Sequence, residues 1–211
     1  MKHLLKLEGM PRGAMEEILA STEAIKARRG GGETKPLDGQ TWTMIFTKSS
    51  TRTRVSFEVG IRELGGSVMF LNANDMQLGR GELIKDTARV LGRMVHGAVI
   101  RTYAQSDVEE FAEYSGIPTI NALTDDEHPC QILTDIFTFE EARGPIGSKV
   151  VTYLGDGACN VPLSWVHAAA ALVEEPLAPA PLAAEEGDGA AVVVGLPHHG
   201  VARARITLPY V

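Results

Sequence analysis

The run Ser49-Ser50-Thr51-Arg52-Thr53-Arg54 gathers hydroxyl and guanidinium groups into one short stretch. It falls between a β-rich segment, Thr41 to Phe46, and a segment whose apolar residues Val55, Phe57, Val59, Ile61 and Leu64 have helical spacing. Unpaired backbone N–H groups and the helix dipole favour an anion at such a helix N-terminus, and arginine adds paired donors, so the run suits a phosphate. The plainer alternative is a Ser/Thr cap with arginines facing solvent. His128-Pro129-Cys130-Gln131 forms a second cluster at another strand-to-helix junction. His128 and Gln131 lie three residues apart, so a helical first turn lets both face one ligand and donate to a carbonyl oxygen that becomes an oxyanion. Here the alternative is that His128 merely caps a helix from Ile132 to Glu141. Arg101 closes the strand-like run Gly97 to Thr102, at the edge where parallel sheets take ligands. Its alternative is a surface ion pair.

Other signals are weaker. The loop Asp75 to Glu82 carries Gln77, Arg80 and two glycines and reads as a closing loop or as a solvated turn. Gly155-Asp156-Gly157-Ala158-Cys159-Asn160 has the look of a nucleotide loop but lacks the third glycine and the downstream ribose acid. Asn160 can instead hydrogen-bond a polar substrate. Cys159 reads as a small buried residue rather than a nucleophile. His128 and Cys130 have no second pair at ligand spacing, so neither a metal nor a cofactor is expected.

These groups need a scaffold that presents several strand ends together. Strand-like runs at Thr41–Phe46, Ser67–Leu71, Gly97–Thr102 and Pro118–Ala122 alternate with helical patterns. The helices are expected around Val55–Leu64, ended by Gly65-Gly66, around Ile84–Val95, from an Asp107 cap through Ser115, and around Ile132–Glu141. That rhythm predicts an α/β fold, a parallel sheet with helices on both faces. A helix from Pro11 to Arg29 precedes it. A second α/β series opens at Lys149–Leu154, with a helix from about Pro162, so the domains are placed at 1–145 and 146–211.

The net charge of −7 argues against sequence-independent nucleic-acid binding, which relies on phosphate neutralisation. Two cysteines fit a reducing compartment, no apolar run approaches a membrane span, and the first residues show no signal-peptide pattern, so a cytoplasmic protein is expected. From Glu174 onward the composition changes: five of the eleven prolines fall there, with no Lys, Phe or Trp. Ala191 to Gly195 reads as one buried strand and nothing beyond it as a domain. The second domain is therefore read as incomplete, its tail either flexible or the product of a changed reading frame, which the abrupt shift favours. Disorder or aggregation is expected after about Val173.

Ser50-Thr51-Arg52-Thr53-Arg54 followed by Val55-Ser56-Phe57-Glu58, then Gly79-Arg80-Gly81-Glu82, then His128-Pro129-Cys130-Gln131 with Asp135, then Gly155-Asp156-Gly157 with Asn160, resemble the carbamoyltransferases. In order and spacing the ornithine branch is most similar; the aspartate branch differs before Ser50 and at Arg80-Gly81-Glu82-Leu83. The resemblance spans roughly Met1 to Val173. It implies a two-domain α/β enzyme that moves the carbamoyl group of carbamoyl phosphate to the δ-amine of L-ornithine, giving L-citrulline and phosphate. It implies a homotrimer or a multiple of one, with Gln77 on a loop that closes the site across a subunit border. By motif, Ser50, Thr51, Arg52 and Thr53 would hold the phosphate. Arg101, His128 and Gln131, with Pro129 and Cys130 in the same motif, would serve the carbamoyl group, and Asn160 would contact ornithine. The Asp-x-x-x-Ser-Met and His-Cys-Leu-Pro segments that the resemblance leads one to expect do not occur in these 211 residues, and His198-His199 is no substitute. A carbamoyl-phosphate-binding chain without turnover, or a carbamoyltransferase for another amine, are the alternatives.

Overall fold

The computed structural model describes residues 2–31, 35–72, 76, 81–147, 149–172, 191–195 and 203–206, the last two as backbone. The chain divides into two compact units: Met1–Leu5 with Ile25–Asp125, and Lys6–Ala24 with Asp126–Val211. The secondary structure begins with helix α1 (Arg12–Ala27).

The first unit is built on strands β1 (Thr41–Phe46), β2 (Ser67–Asn72), β3 (Gly97–Arg101) and β4 (Thr119–Leu123). They form one parallel sheet in the order β2-β1-β3-β4. Leu4 adds a single parallel bridge beside Ile120. Side chains alternate along a strand, so each strand feeds both faces of the sheet. On one face Ile45, Ala98 and Ile100 pack with Ala88, Val108 and Phe111 from helices α3 (Ile84–Leu91) and α4 (Gln105–Ser115). On the other, Trp42, Met44, Phe46 and Val99 pack with Phe57 and Ile61 from helix α2 (Thr51–Glu63). Both faces are thus covered by helices. This explains why β1 is buried from Trp42 through Phe46 on both faces, with Thr43 the one polar residue in that stretch. Gly65 follows α2 with φ +94°, a conformation that costs other residues dearly, and it turns the chain into β2.

The expected cap of α4 is corrected. The N-cap is Ala104, with no side-chain capping bond, and the helix starts two residues before Asp107. Asp107 instead accepts a hydrogen bond from Thr102 Oγ1 at 3.0 Å, and Thr102 Oγ1 accepts one from Thr47 Oγ1 at 3.0 Å. This relay joins α4, the end of β3 and the end of β1. Helix α3 stops at Leu91, short of the expected Val95, whose side chain still joins the core.

In the second unit, helix α5 (Pro129–Arg143) starts three residues earlier than expected, with proline in its first turn, where a missing N–H costs nothing. Strand β5 (Val150–Leu154) leads to helix α6 (Asn160–Leu172). Strands β6 (Ala191–Gly195) and β7 (Arg203–Ile206) follow, the latter unanticipated. Their sheet has the order β5-β6-β7 with both pairings antiparallel, so the parallel series does not extend into it. Most of the span expected to be disordered lies outside the described residues. Among the described residues no helix is long and apolar enough to cross a membrane.

Candidate anion site at the carboxyl edge of the sheet

The chain leaves the carboxyl end of β1 through Thr47–Ser50 and enters α2. Ser50 is its N-cap: the backbone is extended (φ −162°, ψ 117°), and Oγ accepts the Thr53 N–H at 3.3 Å. The Ser50 hydroxyl also donates to Thr53 Oγ1 at 2.9 Å. The cap reading and the anion reading are therefore compatible. One hydroxyl caps the helix, while the dipole still points out of the same terminus.

The next strand completes the setting. β1 lies between β2 and β3, so the chain leaves β1 toward β2 on one side and comes back to β3 on the other. That is the topological switch point at which open parallel sheets bind ligands. Arg101 is the last residue of β3 and pairs with Phe46 in register. Its carbonyl accepts the Thr47 N–H at 2.9 Å, which ties the loop after β1 to the strand that carries the arginine. Arg101 Nε is buried and has no hydrogen-bond partner among the described residues. Burial holds this guanidinium below its usual range. A buried donor of this kind is costly unless a ligand atom meets it.

A cavity of 690 Å³ opens over the loop, lined among others by Thr47, Lys48, Ser50, Thr51, Arg54 and Tyr103. Among the described residues that line it, none is acidic. Lys48 lies 4.4 Å from the centre of the Tyr103 ring and is paired with Asp125. Arg54 stacks 3.7 Å from the centre of the Phe70 ring. Arg54 also lies 3.9 Å from Glu58, so both cations have a carboxylate partner at the cavity's edge as well as a ring. Arg52 is exposed in the first turn of α2 and does not line this cavity. Lys48 and Arg54 are the cations that sequence reasoning did not assign. Arg54 stood inside the quoted motif; Lys48, a single lysine in a loop, gave no signal. Gln77 lies outside the described residues.

His128, Pro129, Cys130, Gln131 and Asn160 all belong to the second unit. His128 occupies the N-cap position of α5, but its side chain makes no capping bond, so capping is not what the imidazole does. Gln131 is exposed, and its amide donates to Asp135 Oδ1 at 2.8 Å, an i to i+4 pair. Burial pushes the Asp135 carboxyl up, and the Gln131 bond opposes that. The Cys130 thiol is pushed up by burial to about 12, which excludes it as a nucleophile near neutral pH. Asn160 is the first residue of α6. It follows a turn in which Asp156 Oδ1 accepts the Ala158 N–H at 2.9 Å. Among the described residues no group of three His, Cys, Asp or Glu could hold a metal ion.

The sequence profile of the aspartate/ornithine carbamoyltransferase carbamoyl-P binding domain matches residues 2–141. The chain belongs to the aspartate/ornithine carbamoyltransferase family. This carbamoyltransferase-family chain is 61% identical over 171 residues to ornithine carbamoyltransferase of Akkermansia muciniphila, covering 80% of the chain and 56% of that relative. It is 51% identical over 171 residues to ornithine carbamoyltransferase of Brucella ovis, covering 81% and 54%. The crystal structure of ornithine carbamoyltransferase from Burkholderia thailandensis superposes with a TM-score of 0.77 at 45% identity, over 82% of this chain and 59% of that one. The chain thus spans little more than half the length of these carbamoyltransferase relatives.

Proposed function

We propose that this chain binds carbamoyl phosphate and that its reaction is transfer of the carbamoyl group to the δ-amine of L-ornithine, with phosphate as the leaving group. The observation that carries the reading is the carboxyl edge of β1 and β3. A capped helix N-terminus, a cavity with two cations and no acid among its described lining residues, and an arginine with an unpartnered buried donor meet there at the switch point of the sheet. Ser50, Thr51 and Thr53 are assigned to the phosphate oxygens, with Arg52 neutralising the leaving phosphate. Arg101 is assigned to the carbamoyl oxygen, as are His128 and Gln131, with Pro129 and Cys130 shaping their turn. Asn160 and Gln77 are assigned to substrate by motif. The neutral amine attacks the carbamoyl carbon, the C–O bond to phosphate breaks, and donors aimed at the oxyanion lower the barrier. Neither a cofactor nor a covalent intermediate is required. The same family reading makes 1–145 the donor domain and 146–211 the beginning of an amino-acid domain, in a cytoplasmic homotrimer or a multiple of one.

Calorimetric titration with carbamoyl phosphate tests the donor site. Saturable binding is expected, weakened at least tenfold in Arg101→Ala; a silent titration of the folded chain refutes the site. Turnover is measured separately as citrulline formation. Loss of one oxyanion donor costs about 3 kcal/mol of barrier, so Arg101→Ala and His128→Ala should each slow transfer roughly 100-fold. The matched part of the chain spans little more than half of each relative, which gives the second reading its basis: tight donor binding with no citrulline would leave a carbamoyl-phosphate-binding chain.

A further inference from the structure

The residue before His128 is a carboxylate sealed inside the second unit. Glu127 is 2% exposed and Ser164 is 0% exposed. The Ser164 hydroxyl donates to Glu127 Oε2 at 2.7 Å. His167 Nδ1 donates to the other oxygen, Oε1. The His128 backbone N–H donates to Ser164 Oγ at 2.9 Å. A serine has one proton to give. Because it goes to Glu127, the Ser164 oxygen is left as an acceptor, and the N–H it accepts is that of His128. A buried carboxylate is retained only when its oxygens are well held, and this one is held by two residues of α6. Ser164 and His167 are three residues apart on α6, and Ser164 is one turn on from Asn160, so all three share a helix face.

We propose that Glu127, Ser164 and His167 are positioning residues that lock the backbone at His128 to helix α6 and thereby set where the His128 imidazole stands for the carbamoyl oxygen. This rests on the role given to His128 above. Nothing in the motif marks these three: Glu127 looks like one more acid in an acidic turn, and Ser164 and His167 look like polar breaks in an alanine-rich helix. They also connect the helix that begins at Asn160 to the turn that carries His128. A displacement of α6 at either residue is therefore felt at the imidazole.

The test compares affinity for carbamoyl phosphate with affinity for inorganic phosphate, which has no carbonyl, in the full chain. Exchange of the His128 amide proton is followed by NMR alongside. Ser164→Ala is expected to reduce the preference for carbamoyl phosphate about tenfold, leave phosphate affinity unchanged, and speed His128 exchange at least tenfold. His167→Leu should act in the same direction, and His167→Gln, which keeps a donor, should restore both readings. A purely structural role would shift the melting temperature while sparing the preference. His167 is partly exposed, so its two variants decide the matter should Ser164→Ala not fold. Unchanged preference and unchanged exchange in His167→Leu overturn the proposal. Equal affinity of the wild type for the two anions would instead refute the function assigned to His128, and the exchange rates alone would then uphold or overturn the lock.

Discussion

Burial pushes the Cys130 thiol up to about 12, against about 9 for an unperturbed one, so about a thousandth of it is thiolate at pH 9. Iodoacetamide at pH 8 should leave Cys130 unmodified in the folded chain and label it once urea unfolds the protein; mass spectrometry of the peptide reads the difference. Asp135 is the other perturbed acid beside the His128 turn. Its folded value is raised, chiefly by burial, so the folded state holds the proton longer than the unfolded chain does. Its contribution to stability is therefore complete below the ordinary carboxylate range near 4 and is lost as pH rises through the folded value. Asp135→Asn, which keeps a partner for Gln131, should lose less stability than wild type between pH 4 and 6, measured as urea midpoints. The reverse ordering would show that charge at this position is not penalised.

Helix α2 packs against the sheet and, in the proposed function, also faces the phosphate. Phe57 and Ile61 hold it to the sheet, and Ser50 holds its first turn. Ser50→Ala should cost about 1 kcal/mol in chemical denaturation and also weaken phosphate, whereas an ordinary cap lost elsewhere would cost stability alone. The α3–α4 pair depends on a glycine: a Cβ at Gly92 would stand 2.1 Å from the Ser115 carbonyl oxygen. Gly92→Ala should destabilise by about 3 kcal/mol with no direct effect on the loop after β1, again read from denaturation midpoints. The strands of the first sheet could be read from the sequence because each is a short apolar run bounded by polar turns, and α2 because its apolar spacing and its glycine stop agree. Asp107 misled because an acid near a helix start has two uses, capping and accepting from a neighbouring strand, and only tertiary structure chooses between them. The pairing of β5 with β6 was beyond reach for a related reason. Strand direction is set by partners far along the chain, not by the pattern within either strand. The hydroxyl and guanidinium run proposed for phosphate was visible through its composition, while the pairing of Lys48 with Asp125 and the Glu127–Ser164–His167 contacts emerge only when distant residues meet.

For the molecule as a whole, a ligand that binds only the folded state raises stability by mass action. Carbamoyl phosphate at a hundred times its dissociation constant should add about 2.7 kcal/mol, and raising the salt should diminish the gain as the anion site is screened. Differential scanning fluorimetry over a ligand series checks this, and a melting point indifferent to carbamoyl phosphate would contradict it. The loop that carries Ser50 leaves β1, which is buried from Trp42 to its end and flanked on both sides by parallel strands. Ligand loops in many proteins loosen well before their scaffolds do. Here the loop proposed to hold the anion is rooted in a strand paired on both sides, so warming should not produce a state that keeps its helices and strands but has lost its hold on the anion. Affinity and far-ultraviolet dichroism should instead vanish at one common temperature.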